Sequence, residues 1–218
     1  MNNILDVDGP LITFLSKAGQ CILLSMIWIL TSIPIVTIGT SSAALYYAVV
    51  KSIKKNRGYP VKEYFRAWKR NFLRGTAFSI VILLLAGLMV YNREVITDTA
   101  ADTSFEGGML SAYVIYDGIL LLLAMLSLYL FPVLSRFSMK ASDLVKLSFL
   151  LSVKYIYYTV PLLCGVVALI VLQIRILPMW TVVILPAAWV YVSSVWIEKA
   201  MRKYYPGPKE GEDAWWLE

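Results

Sequence analysis

The chain has 218 residues, of which 59% are hydrophobic and 16% charged. This is far more apolar than a soluble domain of that length requires, which excludes a water-soluble globular protein and implies an integral membrane protein. The formal charge of +6 then reads as membrane topology, and no nucleic-acid partner is expected.

The opening segment "MNNILDVDGP" carries Asp6 and Asp8 where a cleavable signal peptide would be basic, so the first apolar run is read as a retained anchor. From Ala18 to Val50 there are 33 residues without a charge, about 50 Å as one helix, against a hydrocarbon core of about 30 Å. Pro34 removes a backbone donor and Gly39 permits a turn, while Thr40, Ser41 or Ser42 can cap a new helix. The expectation is a first span ending near Pro34, a tight turn over 37–40 and a short helix from about Ser41 to Lys55. Thr40 to Val50 is too short to cross, so this helix re-enters or lies on the cytoplasmic interface. Pro34, Gly39 and Thr40 form a first candidate site.

Between Lys51 and Arg74 there are nine basic residues and one acid, Glu63. Such a loop belongs in the cytoplasm. Within it, Val61, Tyr64, Phe65, Trp68 and Phe72 recur at helical spacing opposite Lys62, Arg66, Lys69, Arg70 and Arg74, and Pro60 suits a first turn. This predicts an amphipathic surface helix against an anionic cytoplasmic leaflet, with Tyr64, Phe65, Trp68 and Phe72 as a partner-binding face.

Further spans are expected over 75–92, 109–132, 155–174 and 176–197, five in all with the first. The connection after the second span holds Glu94, Asp98, Asp102 and Glu106, whereas that after the third holds Arg136, Lys140, Lys146 and Lys154, and Lys199, Arg202 and Lys203 follow the fifth. The alternation places the N-terminus outside and the C-terminus in the cytoplasm; six crossings would place both inside. Asp117, inside the third span, is an intramembrane acid that calls for a partner, and Arg175 between spans four and five is the candidate; the plain alternative is an interfacial acid bonded to a neighbouring tyrosine such as Tyr113 or Tyr116. Cys21 and Cys164 lie in spans as small packing residues. With no histidine in the chain, no catalytic, cofactor-binding or metal-binding residues are expected.

A weak internal echo pairs "VKEYF" (61–65) with "VKLSF" (145–149), Arg70 with Lys154 and Pro34 with Pro132, as if span, proline, basic helix and span occurred twice. The fold class is therefore an all-α polytopic membrane protein. It has about five transmembrane helices, a broken or re-entrant segment and a cytoplasmic amphipathic helix, in one domain over 1–203 with a short aromatic and acidic cytoplasmic tail over 204–218.

The runs "SIPIVTIGTSSAALYYAVVK", "YFRAWKRNF" and "YLFPVLSRF" resemble the YesL-like family of small bacterial integral membrane proteins, over roughly 11–202. That family has no settled biochemical activity, and its members are commonly encoded beside binding-protein-dependent carbohydrate importers. The resemblance implies a bacterial cytoplasmic membrane protein, a non-catalytic accessory or assembly subunit with importer subunits as partners. An autonomous transporter or channel, with its site at the broken first helix, is the alternative.

Overall fold

The computed structural model describes residues 10–102, 106–176 and 179–205, so the tail from residue 206 onward lies outside the described residues. All regular structure there is helical: α1 (Pro10–Ser32), α2 (Ile38–Ala48), α3 (Pro60–Asp102), α4 (Glu106–Arg136), α5 (Ala141–Lys154), α6 (Ile156–Arg175) and α7 (Leu185–Met201). Among the described residues, four helices are long and apolar enough to cross a membrane, over Ile12–Ser32, Pro60–Thr97, Ser111–Arg136 and Ile156–Arg175. The fifth expected span is a 3-10 segment, Met179–Val183, followed by the 17-residue α7.

The first helix breaks as its proline requires. α1 ends at Ser32, Pro34 is extended (φ −72°, ψ 108°), and a 3-10 turn over Ile35–Thr37 leads into α2. The expected details of that break are corrected. The N-cap is Thr37, and its hydroxyl turns back to the carbonyls of Thr31 and Pro34, both at 2.7 Å. Gly39 lies inside α2, so it needs no left-handed φ. Neither Thr40 nor Ser41 caps the helix: Thr40 bonds to α3, and Ser41 donates to the Thr31 carbonyl (3.1 Å).

Beyond α2 the chain continues as π-helix over Val49–Lys54, so the short element runs from Ile38 to Lys54. It is the centre of the molecule. Every residue from Ala43 to Val50 is at most 8% exposed, and α1, α3, α4 and α7 all pack on α2. A helix apolar on all sides is a buried helix, and Gly39, Ser41, Ala43, Ala44 and Ala48 are small enough to let four neighbours approach.

The basic amphipathic helix is not a separate surface element. Nothing between Arg70 and Ser79 breaks a helix, and α3 runs unbroken for 43 residues from the basic loop through the second apolar run. It pairs antiparallel with α4, from Arg70 Nη2 donating to the Ser135 carbonyl (2.7 Å) at one end to Tyr113 Oη donating to Thr97 Oγ1 (2.9 Å) at the other. It also runs antiparallel to α2, where Gly39 N donates to Ser79 Oγ (2.9 Å) and Thr40 Oγ1 to the Phe72 carbonyl (3.2 Å). Glycine is required at this crossing for space. A Cβ on Gly39 would overlap the Phe131 ring and the Ser79 hydroxyl, and one on Gly75 would stand 2.9 Å from Thr40 Cα.

The sequence echo is carried only in part. The "VKEYF" and "VKLSF" segments lie near the starts of α3 and α5, but the second helix is interrupted at Tyr155 (φ −107°, ψ 40°) before α6 begins. Pro132 sits inside α4, where Pro34 sits in a break.

Candidate functional site

The most highly organised polar group is at the basic end of the bundle, around two adjacent tyrosines of α2. Neighbouring helical residues point about 100° apart, so Tyr46 and Tyr47 engage different carboxylate and lysine partners and share Arg136. Tyr46 Oη donates to Glu198 Oε1 (2.8 Å), Arg136 Nη2 to the same oxygen (2.6 Å), and Tyr205 Oη to Glu198 Oε2 (2.7 Å). One carboxylate thus joins α2, the end of α4, α7 and the segment after α7. The Arg136 side chain is 3% exposed and that of Glu198 18%. The Tyr47 ring is flanked by Lys51 (5.4 Å), Arg70 (5.1 Å) and Arg136 (6.0 Å), each within cation–π range.

A second carboxylate completes the cluster. Glu63, in the first turn of α3, is buried and pairs with Lys51 (3.0 Å) and with the exposed Arg66 (3.6 Å). The loop reaches it through Gly58, whose φ of +78° suits glycine and whose missing side chain leaves the Glu63 carboxylate room. Lys54 Nζ donates to Ser194 Oγ (3.3 Å), and burial pushes its pKa below the usual lysine value. Burial first, then the adjacent Glu198 carboxylate, pushes the Tyr205 hydroxyl well above the usual tyrosine range. The carboxylates are held by donors, and the cations Lys51, Lys54, Arg70 and Arg136 outnumber Glu63 and Glu198. The arrangement is a clamp on helix ends with positive charge left over.

The residues singled out from the sequence fall in four places. Pro34 is exposed at the turn, whereas Gly39 and Thr40 are buried in the α2–α3 contact, with Thr40 Oγ1 also 3.1 Å from Thr76 Oγ1. Tyr64 is fully buried, its hydroxyl 2.6 Å from Thr31 Oγ1, so it faces inward and not toward a partner. Phe65 and Phe72 are exposed, and the half-buried Trp68 rests on Phe72 with ring centroids 4.7 Å apart. Asp117 pairs with Arg93 (3.4 Å), and the structure does not bring it to Arg175, which ends α6. Both partners are more than half exposed, and an ion pair so solvated contributes little.

Tyr46, Tyr47, Arg136 and Glu198 were missed in the sequence, where Arg136 counted only toward topology. One signal was present: Glu198 is the first acid after Asp143, alone in "SSVWIEKAM".

The loop, the turn and the α2–α3 crossing coincide with a known sequence family. Over residues 21–93 the chain is similar to the family described as "Protein of unknown function, DUF624". No curated protein and no solved structure matches it. The DUF624-like region takes in the second half of α1, the broken turn, α2 and α3 as far as Arg93. It therefore includes Glu63, Tyr46 and Tyr47 but not Arg136, Glu198 or Tyr205.

Proposed function

We propose that this is a non-catalytic accessory or assembly subunit of a bacterial carbohydrate importer, resident in the cytoplasmic membrane and docking through the basic start of α3. The observation that carries the reading is the exposed part of that helix. Phe65, Phe72 and the 83%-exposed Leu73 stand beside Lys62, Arg66 and Lys69, while Lys51, Lys54, Arg70 and Arg136 are engaged in the clamp. Buried aromatics dominate interfaces and rim charges contribute little. The link to sugar uptake rests on the YesL-like resemblance alone. A transporter or channel with its site at Pro34, Gly39 and Thr40 has less support, because Gly39 and Thr40 are closely packed against α3 and α4.

The experiment is affinity purification of the tagged chain from native membranes in mild detergent. Importer subunits should co-purify with the wild type and with Lys62→Gln/Lys69→Gln, and should be lost from Phe65→Ala/Phe72→Ala that remains folded and inserted. Retention by the aromatic variant, with loss from the lysine variant, would instead describe a helix resting on lipid.

The proposed topology has five crossings, with the basic loop and C-terminus in the cytoplasm and the N-terminus outside. Single cysteines introduced at 97–100 should react with an impermeant thiol reagent added to intact cells. Those at Asn56 or Ser142 should react only after permeabilisation, and the reverse pattern ends this orientation.

A further inference from the structure

Away from the clamp, α1, α2, α6 and α7 enclose a cavity of about 480 Å³ that is open on one side. Its walls are Trp28, Leu45, Val166, Ile170, Trp189 and Val190, with Leu169 and Ile174 beside them. The polar side chains on the wall are already engaged: Trp28 Nε1 donates to Ser42 Oγ (3.3 Å), and Gln173 Oε1 accepts from Thr181 Oγ1 (3.0 Å). A sugar or other polyol placed here would lose its hydrogen bonds to water and find few replacements. A hydrocarbon chain would not. Both α1 and α6 belong to the helices apolar enough to lie in a bilayer, and Ile170 and Ile174 at the open side are 54% and 75% exposed, so what surrounds the mouth is lipid. At the end of α6, next to Ile174, stands the exposed Arg175, which forms no ion pair among the described residues.

We infer that this groove holds one acyl chain of a phospholipid, with the lipid phosphate toward Arg175. The depth of the groove depends on Gly165. The Trp189 ring lies against it, and a Cβ there would stand 2.9 Å from Trp189 Cζ3 with a closer overlap at the ring edge. The benzo edge of the Trp189 indole can therefore pack against α6 at Gly165. This inference is independent of the importer reading, since it concerns a different face and no protein partner.

The test is native mass spectrometry of the purified full chain, delipidated in detergent and then offered dioleoyl phosphatidylglycerol. The wild type should retain a phospholipid through washing. Val166→Trp and Leu169→Trp, which fill the groove from the α6 wall, should each lose it with an unchanged melting temperature, and Arg175→Gln should retain it more weakly. The inference is overturned if the wild type retains no lipid, or if both filled variants retain as much as the wild type. It is equally overturned if the filled variants split a dimer while lipid retention stays the same, which would put a second copy in the groove. Unchanged retention by Arg175→Gln overturns the placement of the phosphate.

Discussion

Glu198→Ala should be among the most destabilising single changes in this protein, lowering stability by about 3–5 kcal/mol, the usual cost of leaving one member of a buried ion pair alone. It strands Arg136, whose side chain is 3% exposed and whose guanidinium cannot neutralise itself by losing a proton. It also removes the acceptor used by Tyr46 and Tyr205. Arg136→Met should cost less. The carboxylate it leaves behind keeps two tyrosine donors and is partly exposed. The double variant Arg136→Met/Glu198→Ala should recover part of the Glu198→Ala loss, because it no longer buries an unpaired charge. Midpoints of denaturant-induced unfolding in mixed micelles measure all three; a Glu198→Ala midpoint equal to that of the wild type would mean the pair is not formed.

The second large effect is steric and has its own control on the same helix. Gly75→Ala places a methyl group 2.9 Å from the α-carbon of Thr40, which is backbone and cannot swing aside. Overpacking of this kind costs about 1–3 kcal/mol, and Gly75→Leu should cost more. Gly39→Leu should do likewise against Phe131 and Ser79. Gly87, also in α3, has open space where its Cβ would go, so Gly87→Ala should be neutral or slightly stabilising. Equal unfolding midpoints for Gly75→Ala and Gly87→Ala would show that α2 and α3 do not meet at this crossing.

The sequence made the membrane class and the break at Pro34 legible, because both follow from local chemistry: the length of uncharged runs and a missing backbone donor. It misled on what the break is for. The run "AALYYAVV" has no polar face, and an all-apolar stretch too short to cross reads as re-entrant or interfacial, when the same property also describes a helix enclosed on every side. The continuity of α3 was legible in principle, since no proline or paired glycine lies between Arg70 and Ser79. The change from amphipathic to wholly apolar character was taken for a boundary, although composition can change along one helix. That Asp117 pairs with Arg93 was not legible, for a deeper reason. Arg93 and Arg175 are both basic residues beyond apolar runs, and only the α3–α4 register, fixed by contacts at 70–135 and 97–113, decides between them. The clamp was hidden in the same way, its members lying 62 and 152 residues apart in sequence.

The unbroken course of α3 also makes it a rod. Its 43 residues extend about 65 Å, twice the thickness of a bilayer's hydrocarbon core, so the helix reaches well past the apolar layer. A straight hydrogen-bonded helix bends sharply only where its ladder is interrupted, and α3 holds no proline after its first residue. No such interruption by proline lies between Phe65 and Arg93. The corresponding stretch of the second half is interrupted at Tyr155, between α5 and α6. The continuous first half is therefore stiffer along its length than the jointed second half.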